Sequence, residues 1–307
     1  MRPGHPSQDH SGPGVARPRR SLLFVPADQP LKLRKAATVP CDGVILDLED
    51  GVAPARKAEA RAGVREALRD LPLAPRERLV RINALASPWG RDDLAALRAA
   101  DPLPDVVVIP KVAGPDDVLA VARALEGTRV GLLPHVETAR GLVRAVEIAT
   151  CCPAVIGLFF GAGDLLVETG GQRTPASLLY PRSVIAVAAA AAGVVAIDTP
   201  WFRLGDLVGL EDDARDAADL GFAGKAAIHP EQVEVLNRVF TPSPDRVAWA
   251  KRVLEAATRE TAGAWVVDGE MADAMTVRVA QRIVATAQAL GVGEDGDGVG
   301  QGEDEEG

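Results

Sequence analysis

Short apolar runs alternate along most of the chain with stretches in which apolar side chains recur every three or four positions. The runs read as strands at Ser21 to Val25, Gly43 to Asp47, Leu79 to Asn83, Val106 to Ile109, Val130 to Glu137, Val155 to Phe160, Val194 to Asp198 and Gly224 to Ile228. The stretches between them read as helices over Pro30 to Ala37, Ala55 to Leu71, Asp92 to Ala100, Pro115 to Leu125, a short pattern after Glu137, Pro175 to Ala192, Leu210 to Leu220, and one opened by His229-Pro230. Consecutive hydrophobic strands separated by helices are parallel and finish at one edge of the sheet. Eight of each, from Ser21 to about Phe240, predict an α/β chain folded as a (β/α)8 TIM barrel. A doubly wound open sheet is the rival and usually has fewer strands. Two further helical patterns, Pro244 to Ala262 and Met271 to Leu290, exceed what a barrel needs.

The texture between the ends is even and gives no interior linker, so the expected divisions are a disordered tail over residues 1–19, the barrel over 20–240, a C-terminal helical extension over 241–290 and a disordered acidic tail over 291–307. The formal charge is −9. Much of it sits in the last tail, whose seven carboxylates are unopposed, so the body gives no electrostatic case for nucleic acid. Cys41, Cys151 and Cys152 form neither a metal-ligand spacing nor a disulfide framework, which fits a reducing, cytoplasmic setting. The Ala-rich run from Val184 to Ile197 is too short and too mildly apolar for a bilayer, and the N-terminal stretch has no apolar segment of the secretory kind, so no membrane partner is expected.

In a barrel of this kind the chemistry sits where strands end. The expected rim carries Asp47 and Glu49, Arg81 and Asn83, Lys111, Glu137, Asp164, Asp198 and His229. Glu137 and Asp164 end neighbouring strands. Either alone reads as well as a helix cap or an ion-pair partner, but two carboxylates on adjacent rims repel, and a hard divalent cation with oxygen ligands relieves that, so a Mg2+ site is expected. Such a pair leaves most of the coordination shell to water and to a bidentate 2-oxo or 2-hydroxy carboxylate. Arg81, inside a strand, needs an anionic partner, either Asp47 or Glu49 in a structural pair or a substrate oxygen. Lys111 raises a Schiff-base aldolase, but the surrounding carboxylates would raise its pKa and argue against it. Gly161-Ala162-Gly163-Asp164-Leu165-Leu166 imitates a dinucleotide fingerprint without its third glycine, and its glycines are better suited to bringing backbone amides near a substrate. His229 has no second histidine at ligand spacing, so helix entry or core is its expected place rather than zinc.

These residues together resemble the citrate lyase β-subunit and malyl-CoA lyase group of the HpcH/HpaI aldolase superfamily. The matching stretches are Arg20 to Pro26, Val44 to Asp50, Val80 to Asn83, Pro110-Lys111, Glu137 to Gly141, Phe160-Gly161 with Asp164-Leu165, Gly221-Phe222 with Gly224-Lys225, Ile228 to Pro230, and Gly269 with Met271 and Asp273. The resemblance implies a Mg2+-dependent carbon–carbon lyase, homotrimeric or a dimer of trimers, that cleaves a 3-hydroxyacyl-CoA thioester of malyl, citramalyl or citryl type. It implies Glu137 and Asp164 as metal ligands, Arg81 as catalytic and substrate-binding, and Asp273 as an acid/base reaching a neighbouring subunit's site. Phe24, Lys35, Gly163, Ile228 and His229 fall at substrate-binding positions, with Asp47, Glu49 and Lys111 in support. An aldolase for free 4-hydroxy-2-oxo acids, a malyl-CoA thioesterase and a non-catalytic acyl-CoA-binding subunit are the alternatives. Three departures stand out. Gln29 replaces an arginine that touches CoA in many relatives, Gly163 replaces an acidic residue, and His135 precedes Val136-Glu137 where histidine is unusual.

Overall fold

The computed structural model describes residues 17–73, 76–259 and 263–292, so most of both expected tails lies outside the described residues. Eight parallel strands close into a barrel. They are β1 (Ser21–Pro26), β2 (Gly43–Asp47), β3 (Glu77–Arg81), β4 (Val106–Ile109), β5 (Gly131–Val136), β6 (Gly157–Phe160), β7 (Val195–Asp198) and β8 (Gly224–Ala227). Closure is made by β8 against β1, with Leu22 opposite Ala226. Arg19 and Arg20 brace the strand starts nearby, Arg19 on Glu77 at 2.7 Å and Arg20 on Asp42 at 2.7 Å. The helices follow as α1 (Pro30–Ala36), α2 (Lys57–Asp70), α3 (Gly90–Arg98), α4 (Pro115–Ala124), α5 (Ala139–Val143), α6 (Ala145–Thr150), α7 (Ala162–Thr169), α8 (Pro175–Ala192), α9 (Leu207–Asp219) and α10 (Gln232–Val239). The TIM barrel predicted from the alternation is the observed fold.

Strand residues alternate between the barrel interior and the helical shell, as the pleat requires. Leu22, Ile45, Leu79, Val106, Val108, Leu133, Phe159, Ile197 and Ala226 fill the interior. Their neighbours Leu23, Val44, Leu46, Val80, Val107, Leu132 and Leu158 join the larger layer under the helices, with Val64, Val118, Ile148, Ile185 and Leu210 facing them. A buried leucine in such a layer is worth about 1.5–3 kcal/mol. The same parity sets the mouth. Counting two residues up from Leu22, Ile45, Leu79, Leu133 and Ala226 gives Phe24, Asp47, Arg81, His135 and Ile228, and two more from His135 gives Glu137.

Residues 241–292 belong to a second compact unit. It holds α11 (Pro244–Arg259), a hairpin of β9 (Ala264–Val267) and β10 (Glu270–Asp273), and α12 (Ala274–Ala289). Val247, Ala250, Val253, Val267, Ala272, Ala280, Ile283 and Ala287 form its core. The hairpin fills the stretch between the two predicted helices and takes Met271 to Asp273 from the start of the second. Its turn, Asp268-Gly269, has φ of 53° and 86°, the two left-handed residues of a tight hairpin turn, and Trp265-Val266-Val267 before it favours strand. A helix that the apolar spacing does not predict, α7, takes up Ala162-Gly163-Asp164 as its first turn.

Candidate active site

Strand register places Arg81 beside Asp47. Arg81 Nε and Nη2 donate to Asp47 Oδ1 and Oδ2, each at 2.7 Å, and Nη1 lies 3.0 Å from Glu49 Oε2. The Phe24 ring lies against the guanidinium, 4.6 Å from its central carbon. Asp47 also accepts the N–H groups of Glu49 and Gly51, both at 2.9 Å, so one carboxylate fixes the arginine and the loop after β2. Burial opposes the charge on Arg81, but Asp47 and Glu49 outweigh it and the guanidinium pKa is raised. That loop is held from behind by Lys57, whose Nζ donates to the carbonyls of Leu48 at 2.7 Å and Glu49 at 2.8 Å and to Asn83 Oδ1 at 2.7 Å.

Acidic groups converge next to this arginine. Lys111, a non-glycine residue with φ of 54°, donates its backbone N–H to Glu137 Oε1 at 2.7 Å. A left-handed non-glycine residue costs about 1–3 kcal/mol, and such strain gathers at functional sites. The Lys111 ammonium reaches Glu49 at 3.0 Å, Asp50 at 3.5 Å and Asp164 at 3.7 Å. Burial would lower its pKa, but Glu49, Asp50 and Asp164 together raise it. It therefore rests as a cation, which argues against a Schiff-base nucleophile as the sequence reasoning expected. Glu137 is pushed up to about 8, first by burial and then by the charges of Glu49 and Asp164, against the pull of the Lys111 N–H and Arg81. Glu49 is raised chiefly by burial.

His135 forms the cavity floor beside Glu137. Its ring stacks on Phe159 with centroids 4.3 Å apart and planes at 23°, as the register of β5 and β6 dictates. Nδ1 lies 3.2 Å from Glu137 Oε2, without the alignment of a formed hydrogen bond, so both ring nitrogens are buried without a partner. Burial, with Arg81 and Lys111 adding to it, drives the imidazole pKa well down and keeps the ring neutral. Gly161 is required here: a Cβ would stand 2.4 Å from Glu137 Cβ and 2.6 Å from His135 Nε2.

All of this opens into a cavity of about 540 Å3 at the mouth of the barrel. Phe24, Lys35, Asp47, Arg81, Glu137, Gly163, Asp164, Ile228 and His229 line it, so nearly the whole expected set is brought together. Glu49 and Lys111 join through the ion pairs above. His229 is on the rim with its side chain 44% exposed and Nδ1 3.2 Å from Glu231, at the entry to α10 rather than in the core, the first of the two places expected for it. Lys32 and Phe202 also line the cavity, and sequence reasoning did not place them there; His135, singled out in the sequence as an unusual residue before Val136-Glu137, lines it as well. Two expected rim residues point elsewhere. Asn83 donates to Leu48 O at 2.8 Å and Asp93 at 2.6 Å, a buried structural role. Asp198 lies in the helical shell, bonded to Arg182 at 2.8 Å and Lys225 at 2.5 Å, because its neighbour Ile197 takes the inward position. Asp273 belongs to the C-terminal unit, where it caps α12 by accepting from Met275 N at 2.8 Å and Thr276 N at 3.0 Å.

The donors suit a hard cation. Among the described residues no group of three or more His, Cys, Asp or Glu is arranged to hold a metal, which leaves Glu137 and Asp164 as a two-carboxylate set with oxygen donors only. Burial first, and then the charges of Glu49 and Asp164, push Glu137 up to about 8, so its ionised form calls for added positive charge of the kind a divalent cation would supply.

Residues 20–230 match the family model described as HpcH/HpaI aldolase/citrate lyase. Mitochondrial citramalyl-CoA lyase of Mus musculus is 34% identical over 297 residues, covering 89% of this chain and 87% of that protein. A (3S)-malyl-CoA thioesterase of Cereibacter sphaeroides is 35% identical over 280 residues, covering 90% and 96%. The crystal structure of CitE from Mycobacterium tuberculosis, in complex with magnesium, acetoacetate and coenzyme A, superposes with a TM-score of 0.74 at 38% identity, over 89% of this chain and 98% of that one. The chain therefore belongs to the HpcH/HpaI aldolase/citrate lyase family and is a carbon–carbon lyase.

Proposed function

We propose that this chain cleaves a 3-hydroxyacyl-CoA thioester of the malyl, citramalyl or citryl type into a 2-oxo acid and an acyl-CoA, with Mg2+ held by Glu137 and Asp164. The observation that carries the reading is the juxtaposition, in one cavity, of a fixed guanidinium and the two carboxylates of Glu137 and Asp164. Mg2+ bound there would lower the pKa of the substrate hydroxyl and polarise the oxygens of the departing oxo acid. Arg81, held by Asp47 and Glu49, presents a preorganised positive charge to the oxygen on which charge collects. Phe24 and Ile228 give the reacting carbons an apolar wall, and Lys32 and Lys35 line the α1 side as cations for an anionic carrier. Asp273, supplied from a neighbouring copy in a homotrimer or dimer of trimers, would move the proton at the acyl carbon.

A thioesterase is the second reading, favoured by the 35% identity to the Cereibacter enzyme. Product analysis by mass spectrometry separates the two. The protein is incubated with malyl-, methylmalyl-, citramalyl- and citryl-CoA and with free 4-hydroxy-2-oxo acids, each with and without EDTA. EDTA-sensitive release of an oxo acid with a shorter acyl-CoA supports the lyase. Free CoA with the intact hydroxy acid supports the thioesterase, and turnover of the free acids alone would overturn both.

A further inference from the structure

Resting on that reading of Glu137, we propose that His135 is a positioning residue for the metal-binding carboxylate. His135 is 4% exposed and neither ring nitrogen has a hydrogen-bond partner, an unfavourable arrangement that calls for a reason. A leucine or valine would fill this floor without that cost. The ring is pinned by its stack on Phe159, so Nδ1 is held facing Glu137 Oε2 at 3.2 Å. The other oxygen, Oε1, already takes the Lys111 N–H at 2.7 Å.

An ionised carboxylate offers Nδ1 only acceptor lone pairs, so the tautomer that fits places the proton on Nδ1 and leaves Nε2 bare against Gly161. Nδ1–H then faces Oε2 at 3.2 Å, and a small rotation of either side chain would align the two, giving Glu137 one N–H on each oxygen with a lone-pair direction on both left toward the cavity. Partners of metal-binding carboxylates fix ligand orientation, and their loss weakens metal affinity by roughly 10–100-fold. The Lys111 bond survives when His135 is changed, so the lower end of that range is expected.

The test is magnesium calorimetry on the full-length protein without substrate, with thermal melting of the metal-free forms beside it. Asn carries an N–H donor close to where histidine has Nδ1, whereas Leu keeps the volume and loses the donor. The proposal expects His135→Leu to weaken Mg2+ binding about tenfold and His135→Asn to recover most of it, with the order Asn above Leu unrelated to the order of their melting temperatures. Equal Mg2+ affinity in wild type and His135→Leu would overturn it, as would a loss shared by Leu and Asn that simply follows their stability. Glu137→Gln distinguishes the deeper failure: if wild-type binding survives that change, the magnesium assignment falls with the inference, whereas if it disappears the assignment stands and His135 is judged alone.

Discussion

Asp47 grips Arg81 through two parallel contacts of 2.7 Å, and the same two oxygens take the N–H groups of Glu49 and Gly51. The arginine is thus aimed by a strand-end carboxylate that also ties down the loop after β2. Lysine keeps the charge but not the planar fork, so Arg81→Lys is expected to lower kcat/KM for the thioester by roughly 10^2–10^3 while the fold persists. Arg81→Ala would leave Asp47 and Glu49 buried without their partner and cost about 3–5 kcal/mol of stability. Steady-state kinetics and urea unfolding of the two variants check this, and a Lys variant with wild-type turnover would remove Arg81 from the reaction.

A second buried network lies outside the cavity. Asp213 accepts from Arg182 at 2.8 Å and from Lys225 at 2.5 Å, and Asp198 shares both partners. Burial raises the Asp213 pKa, but Lys225 and Arg182 outweigh it and bring the group down from 3.8 to about 2. The folded value is below the unfolded one, so the stabilisation is complete above pH 3.8 and is lost as pH falls through 2, amounting to about 2 kcal/mol. Urea midpoints at pH 5, 4, 3 and 2 should show Asp213→Asn clearly less stable than wild type at pH 5, with the gap narrowing toward pH 2. A gap that stays constant across that range would contradict the assignment.

The strands and the acid pair were legible because Val106-Val107-Val108-Ile109 and its counterparts are too apolar for loops, and because Glu137 and Asp164 each follow such a run. Which strand-end residues face the cavity was less legible. That depends on parity relative to the interior ring, and parity separates Asp47 and Arg81, which point inward, from Asp198, which lies one position beyond Ile197. His135 had the inward parity too and stood out in the sequence as an unusual residue before Val136-Glu137, but its relation to Glu137 is seen only in its stack with Phe159 and the 3.2 Å to Oε2. The turn at Asp268-Gly269 falls in the gap between the two helical patterns, and its second strand was hidden because Met271 to Asp273 also fits the apolar spacing of the helix that follows.

Gln29 precedes α1 and makes no side-chain cap, so replacing it disturbs little. By the family resemblance it takes the place of a CoA-binding arginine, and it lies a few residues before Lys32 and Lys35 on the cavity wall. Gln29→Arg is therefore expected to lower KM for the CoA thioester several-fold, leave kcat unchanged and make KM more sensitive to salt. An unchanged KM at low and high ionic strength would indicate that this wall does not hold the carrier's phosphates.

Asp273 carries two candidate roles that a single substitution can separate. As the cap of α12 it accepts from Met275 and Thr276, and the Thr276 N–H leads the interactions that hold its pKa below the usual carboxylate value, so it rests ionised at neutral pH. That is the form able to take a proton from an acyl carbon in the condensing direction; in cleavage it must be protonated first. Asn caps helices about as well as Asp but cannot transfer the proton, so Asp273→Asn is expected to keep the melting temperature and lose roughly 10^2–10^4 in turnover, whereas Asp273→Ala loses both. If the group acts in a neighbouring subunit, mixed oligomers of Asp273→Asn and Arg81→Lys chains contain sites with both residues intact and recover activity absent from either homomer. Recovery fits the shared site. Activity in the mixture no greater than the average of the two parents would confine Asp273 to its own chain, and full turnover by Asp273→Asn alone would leave it a helix cap.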